Sequence, residues 1–456
     1  MGIRWRRRCH AQVCEIDLGR KMSERWSIDV EWAQLDTGSP EERAGFAALG
    51  IHAYDACLTF GYDSLLQSIR RAPYLSAYHF AEWLAWNWWR LRWEPHRRSP
   101  EWELSHTMAS IGGGYIWPDI HIVSDGKNVS LVCKSTPERA RTPYRYISDS
   151  VSVVPAIDFE GEIDLFIEAV LQRLQTCQVT NSNLHDIWQD VIQERQDPAL
   201  SVQRKFEALL GEDPGEMDEG QLQRFIANAE ATGQTALEEI AANRIPGKAV
   251  PDIAHLLELG HTRGTVTNPR DRITLHAPIP HDLDAPWRVG AHAAQLLRAQ
   301  ENIDLDVAIT NDQLARMYGA PGNIFDPLEQ SSDLSFDLSE SDQRHRIVLR
   351  RAGRETSRRF ALARLLGDTL THTTTDPVRP ATHSDTYRQK VHRAFAAELL
   401  SPFQAVDHML DGDYSTENQQ EVADHFQVSD RTILTLLVNH KRLDRSKLDE
   451  ADWVQT

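Results

Sequence analysis

The sequence predicts a multi-domain α+β protein, and three observations lead there. The chain has 456 residues, enough for two or three domains at about 150 residues each. Period-two alternation around residues 120–133 marks strands, three-to-four spacing through residues 160–245 marks helices, and the last third reads helix, helix, strands, helix, helix. Hydrophobic residues make up 41% and charged residues 25% of the chain, which excludes collagenous and largely disordered classes. No apolar run approaches the roughly 18 residues that a membrane-spanning helix needs, so no membrane partner is expected. The net charge of −18 sets up a field that repels phosphate, so any nucleic-acid contact requires a local basic patch.

Residues 1–21 hold six basic side chains (Arg4, Arg6, Arg7, Arg8, Arg20, Lys21) and two acidic ones, with no apolar stretch behind them. They read as an extra or disordered N-terminal extension rather than a signal peptide. The five cysteines (Cys9, Cys14, Cys57, Cys133, Cys177) are odd in number and scattered, which predicts free thiols and a cytoplasmic setting. His10 sits between Cys9 and Cys14, but no second pair at metal-site spacing accompanies them.

Residues 22–154 form a Trp-rich α+β domain. Five of the thirteen tryptophans fall between Trp83 and Trp93, and Trp86, Trp89 and Trp93 share one face of a helix that packs on a sheet and ends at Pro95. Ile120 and Ile122, then Val129, Leu131 and Cys133, flank Ser124-Asp125-Gly126-Lys127-Asn128 as a hairpin. Gly112-Gly113-Gly114 lacks the Lys-Ser/Thr of a phosphate-binding loop and reads as a plain loop. Residues 155–245 read as a helical connector, in which His185, Asp186 and Glu194 lie on a solvated face. The stretch from Ile245 to Trp287 carries six prolines, so residues 246–283 are expected to be a linker.

From residue 284 onward, Pro286 suits the first turn of one helix and Thr310-Asn311-Asp312 caps another. Strands are expected at Leu334–Leu338 and Arg346–Leu349. Next come Arg358-Arg359-Phe360-Ala361-Leu362-Ala363 and, later, Phe395-Ala396-Ala397-Glu398-Leu399-Leu400-Ser401-Pro402. With these two stretches and the helical segment after them, residues 284–445 resemble the ImmA/IrrE family of zinc metallopeptidase-like proteins. The resemblance implies a zincin-like α+β domain over 284–412 and a helix-turn-helix-like unit over 413–456. In an active member a His-Glu-x-x-His helix follows the Arg-Phe opening. Two histidines one turn apart then take two zinc positions, and the Glu polarises the metal-bound water. The matching positions here are Arg364, Leu365 and Asp368. A guanidinium is not a zinc ligand and a leucine is not a base. The family's further ligand falls in the stretch Gln389-Lys390-Val391-His392-Arg393, which has no carboxylate.

The resemblance thus implies the fold while arguing against its usual activity, and no cofactor is expected. Asp368 and His372 are one turn apart, and His392 or His383 completes a residual set with metal-binding chemistry. The competing expectation is an ion pair between Arg364 and Asp368 in the place of a metal. Arg364, Asp368, His372 and His392 are therefore the expected cleft residues. In the C-terminal unit, Val422, Ala423, Phe426, Val428, Ile433 and Leu436 pack two short helices and Ser429 caps the second. Ser429, Arg431, Thr432 and Lys441 are the candidate DNA contacts, but five basic and five acidic residues between Ser415 and Lys447 leave the unit neutral. Three functions follow: an inactive peptidase-like regulator that binds a protein, peptide or ligand; a zinc endopeptidase with substituted ligands; and a DNA-binding regulator. The first is favoured. The setting implied by the resemblance is bacterial stress response, mobile-element control or toxin–antitoxin-like regulation.

Overall fold

Alternating apolar residues on either side of Asp125-Gly126-Lys127 pair as two antiparallel strands, Asp119–Ser124 and Asn128–Lys134, with Ile122 opposite Leu131. Gly126 turns the chain at φ 90°, a conformation that costs a residue with a Cβ. The computed structural model describes residues 25–245, 247–280, 283, 285–326, 334–341, 344–350 and 354–448. The expected extension at 1–21, with Cys9, His10 and Cys14, and the acidic residues Asp449, Glu450 and Asp452 lie outside these. Among the described residues the strands form four antiparallel sheets, three in the first 155 residues and one in the C-terminal part. The α+β class is as expected. Among the described residues no helix is long and apolar enough to cross a membrane.

The Trp-rich helix departs from expectation. It breaks at Asn87 into Ala77–Trp86 and Trp88–Trp93, where the Asn87 side chain and backbone N–H both donate to the Trp83 carbonyl, at 2.9 and 3.0 Å. The break rotates the stripe. Trp88 and Trp89 enter the core while Trp86 is 61% exposed. Trp89 donates its Nε1–H to Glu194 at 2.7 Å, so Glu194 is not on a solvated face. The three glycines form a turn in which Gly112 accepts a bond from Trp117 Nε1 at 2.9 Å.

Part of the expected connector packs on its neighbours, while Phe206, Leu210, Leu222, Phe225, Leu237 and Ile240 form a separate apolar cluster with Ile253 and Leu334. Phe159, Ile163, Phe166, Leu184, Trp188 and Val191 join the cluster that begins at Trp26 and Ile28, so the helices Ala156–Thr176 and Asn183–Gln196 belong to the N-terminal core. Ala236 and Leu259, from the helices Gln234–Ala242 and Ile253–Arg263, instead pack on Phe336, Leu338, Val348 and Val378 of the C-terminal sheet. The expected linker is also structured. It contains the helix Ile253–Arg263 and the edge strand Thr265–Thr267, which pairs with Arg344–Val348. Its Arg272 reaches the buried Asp337 at 3.1 Å. Pro251 and Pro269 flank these two elements rather than fall inside them.

The C-terminal sheet runs Thr265–Thr267, Arg344–Val348, Ser335–Ser341, Val378–Ala381. The two inner strands match the expected pair with shifts of one to three residues at their ends. Against it lie Pro286–Gln300, Glu355–Thr371 and Tyr387–Leu400, packed with the helix-turn-helix-like pair Thr416–Phe426 and Asp430–Asn439 in a single core. Thr310 caps Asn311–Tyr318 in a reciprocal box with Gln313, and Ser429 caps Asp430–Asn439. Glycines set the closest helix approach. A Cβ on Gly290 would overlap the Val391 carbonyl oxygen and lie 2.8 Å from the Phe395 nitrogen, and one on Gly367 would lie 2.7 Å from the Phe395 ring.

Gly290→Ala should therefore force the helices Pro286–Gln300 and Tyr387–Leu400 apart and lower stability by about 1–3 kcal/mol. Gly112→Ala, which meets open space, should change it by less than about 0.5 kcal/mol. Urea unfolding followed by circular dichroism compares the two; equal midpoints would remove the close-packing argument.

Candidate functional site

Three segments bring the site together: the helix Glu355–Thr371, the strand Val378–Ala381 with its following turn, and the helix Tyr387–Leu400. Spacing of four puts Arg364 and Asp368 on one face of the first helix, and Arg388 and His392 on one face of the second. Asp368 is 1% exposed. Arg388 grips it with both arms of its guanidinium, Nε to Oδ1 at 2.9 Å and Nη2 to Oδ2 at 2.7 Å. His392 Nε2 lies 2.9 Å from Oδ1, His372 Nδ1 lies 3.8 Å from Oδ1, and the two histidine nitrogens are 3.3 Å apart. Arg379 Nη1 stands 3.8 Å from Oδ2.

The expected Arg364–Asp368 pair does not form. Arg364 donates its Nη2 to the Thr382 carbonyl and to Gln389 Oε1, the latter at 2.6 Å. Gln389 is held in turn by the Thr382 N–H at 3.0 Å and gives its own amide to the Pro380 carbonyl at 3.0 Å. Neutral carbonyl oxygens at the end of the strand thus draw Arg364 aside, while Asp368 takes the fork of Arg388 on the facing helix, where two parallel bonds are available. Leu365 is 1% exposed and packs in the core. His383 does not join the cluster; its Nε2 meets Arg350 Nη1 at 3.1 Å.

Burial and charge set the protonation states. Burial alone raises a carboxyl group, but His392 and Arg388 hold Asp368 well below the usual carboxylate range. Burial and the neighbouring His392 push His372 down to about 3, and burial also lowers His392, against the pull of Asp368. Both imidazoles are neutral at physiological pH. Burial and Arg393 bring Arg364 down to about 9, so it keeps its charge. Glu239, also buried, is raised by desolvation against the pull of Arg388.

Other elements cover the cluster. From the helix Gln234–Ala242, Thr235 Oγ1 accepts from Arg388 Nη1 at 3.1 Å and Glu239 accepts from Thr386 at 2.7 Å. Asn243, just after that helix, accepts from the His383 N–H at 2.8 Å. Asp376 binds the Thr235 hydroxyl and the Ala236 N–H at the start of the helix, where a carboxylate also suits the helix dipole. From the N-terminal hairpin, the Asp125 carbonyl accepts from the Tyr387 N–H at 2.8 Å and Lys390 pairs with Asp125 at 3.3 Å. Two surface concavities, one including Lys441, Arg442 and Arg445 and the other Glu212, Arg244 and Lys248, contain none of the cluster residues.

Of the four expected cleft residues, Asp368, His372 and His392 converge and Arg364 turns away. Arg388, Gln389, Thr235 and Glu239 escaped sequence reasoning. The i, i+4 spacing of Arg388 and His392 was the one signal available. A zinc peptidase centre does not fit the matched positions, since Arg364 is engaged with carbonyl oxygens and Leu365 is in the core. Asp368, His372 and His392 are the one group of three such side chains with donor atoms close enough for a shared ion among the described residues. At the candidate DNA contacts, the Ser429 hydroxyl accepts from the Thr432 N–H at 3.2 Å and lies 2.9 Å from the Thr432 hydroxyl. Both groups are thus engaged in the cap. Arg431 and Lys441 are exposed. Comparison with protein-family models, curated proteins and solved structures finds no match for this chain.

Removing Arg388 leaves a buried carboxylate without its counter-charge. Arg388→Met should cost about 3–5 kcal/mol, and the double variant Arg388→Met/Asp368→Asn should recover part of that loss. Denaturant unfolding at pH 7 checks both, and a single variant as stable as the parent would show that Arg388 does not balance Asp368.

Proposed function

We propose that the chain is a catalytically inactive relative of the ImmA/IrrE-like peptidases that acts in regulation by binding a protein or peptide. The observation that carries the inactive half of this reading is Leu365. It stands where the resemblance puts the general base, and it lies in the core next to an arginine that is bonded to carbonyl oxygens. Peptide hydrolysis needs a base or a polarised water at that point, and neither leucine nor the guanidinium of Arg364 supplies one. The helix Gln234–Ala242 contacts Arg388 through Thr235, and the hairpin at Asp125 contacts Tyr387 and Lys390 of the same helix as Arg388.

Partner binding is supported by the N-terminal module. In the small sheet Ser68–Arg70, Gly61–Asp63, Tyr144–Tyr146, Tyr62 is directly opposite Ile69. Ile69 is 62% exposed, and at the tip of the same hairpin Leu65 and Leu66 are 80% and 57% exposed. Single exposed apolar residues are ordinary on protein surfaces, whereas several on one hairpin favour a protein contact. DNA reading has less support, because the Ser429 and Thr432 hydroxyls are engaged in the helix cap.

Purified full-length protein incubated with casein and a mixed peptide library, with and without zinc, should yield no cleavage products above an Asp368→Ala control. Turnover that disappears in that control would replace this reading with the endopeptidase one. For the binding surface, Leu65→Asp/Ile69→Asp should keep the parent circular dichroism spectrum and lose cross-linked partners that the parent retains in cells. An unchanged set of partners would move the contact away from this hairpin.

A further inference from the structure

We propose that Asp368 Oδ1, His372 Nδ1 and His392 Nε2 bind one zinc ion that clamps the C-terminal end of the helix Glu355–Thr371 to the middle of the helix Tyr387–Leu400. The three donor atoms are 2.9, 3.3 and 3.8 Å apart. Zinc–nitrogen and zinc–oxygen bonds of about 2.0–2.1 Å in a tetrahedron separate neighbouring donors by about 3.3–3.4 Å. The observed separations bracket that value and depart from it by no more than about half an ångström. The set comes from three places: within one helix, at its C-cap, and on the facing helix.

The Arg388 fork does not exhaust Asp368. A carboxylate has about four lone-pair sites on its two oxygens, and the fork takes one on each, which leaves a second on Oδ1 directed toward the histidines. Arg388 then acts as the outer partner that fixes the carboxylate, as hydrogen-bonded neighbours do for metal ligands generally, and Thr235 fixes Arg388 in turn. Without metal, a proton fills the gap: His392 Nε2–H donates to Oδ1. His372 Nδ1 lies 3.0 Å from Thr371 Oγ1, whose own proton goes to the Gly367 carbonyl at 2.7 Å. Zinc binding at these nitrogens therefore moves the His392 proton from Nε2 to Nδ1 and the His372 proton from Nδ1 to Nε2, so that both imidazoles stay neutral. Two imidazoles and one carboxylate favour zinc over magnesium or calcium, which take oxygen ligands. The His372 side chain is 29% exposed, which gives an ion a route in and leaves room for a water as fourth ligand.

Charge limits the affinity. Arg388 cancels Asp368, and Arg379 stands nearby, so the ion enters a site with less negative charge than a thiolate cage. The clamp is a reversible addition to a fold that its apolar core already holds together. This inference goes beyond the proposed function and does not rest on it: zinc binding without hydrolysis is compatible with both, and hydrolysis would overturn only that reading.

The test uses untagged full-length protein stripped with chelator and titrated with zinc chloride, with calorimetry for stoichiometry and thermal melting for stabilisation. The expected result is one zinc per chain and a higher melting temperature. His372→Ala and His392→Ala should each weaken binding by at least about 10–100-fold, the loss typical of disturbing even an outer metal partner, while His383→Ala, outside the cluster, should bind as the parent does. Should His392→Ala fail to fold, the partly exposed His372 carries the comparison alone. Absence of zinc binding to the parent, or binding by His372→Ala at parental strength, would overturn the proposal.

Discussion

A carboxylate at 1% exposure has to be balanced where it stands, and much of the C-terminal half is arranged around that requirement at Asp368. Desolvating a charge costs several kcal/mol unless a partner with good geometry is present. Arg388 supplies that geometry with two parallel bonds, and its remaining arm is anchored by Thr235. Thr235 is also bound to Asp376, which holds the first turn of the helix Gln234–Ala242. The buried charge is thus linked through Arg388 and Thr235 to a helix earlier in the chain that apolar contacts also hold in place. Asp337 repeats the solution in the sheet, where Tyr318, Arg272 and His345 surround it.

The same helix that contributes Arg388 begins at the N-terminal hairpin. Tyr387 donates its backbone N–H to the Asp125 carbonyl, Lys390 pairs with the Asp125 carboxylate, and Lys127 sits 4.4 Å from the centre of the Tyr387 ring. The turn of the Trp-rich module and the charged cluster are therefore at successive turns of one rigid element. That element is closely packed against Gly290 and Gly367.

Much of the fold was legible in the sequence wherever a local rule acted alone. The hairpin at Asp125-Gly126-Lys127, the capped helix at Thr310 and the two-helix unit around Ser429 follow from turn chemistry, capping and apolar spacing. Local reading failed where a side chain chose among several partners. The tryptophan stripe is split at Asn87, whose side chain adds a second bond to the Trp83 carbonyl. The proline-rich stretch contains a helix and an edge strand because a sheet edge was available to pair with. At the site, spacing put Arg364 beside Asp368, yet Arg364 bonds to Gln389 and the Thr382 carbonyl, groups that lie 18 to 25 residues away in sequence.

The sequence by itself determined the α+β class and that residues 364–368 hold neither histidine nor glutamate. It also determined which side chains were available to a cluster, because residue types and helical spacing are local properties. Only the tertiary structure decided which of them meet. Arg388 rather than Arg364 neutralises Asp368, His372 and His392 face the same oxygen, and the helix Gln234–Ala242 closes over them. Those outcomes depend on how two helices pack across Phe395 and Gly367 and on the strand end that draws Arg364 away. Competition among charged groups in a buried space is settled by distance and geometry, which no spacing rule along the chain contains.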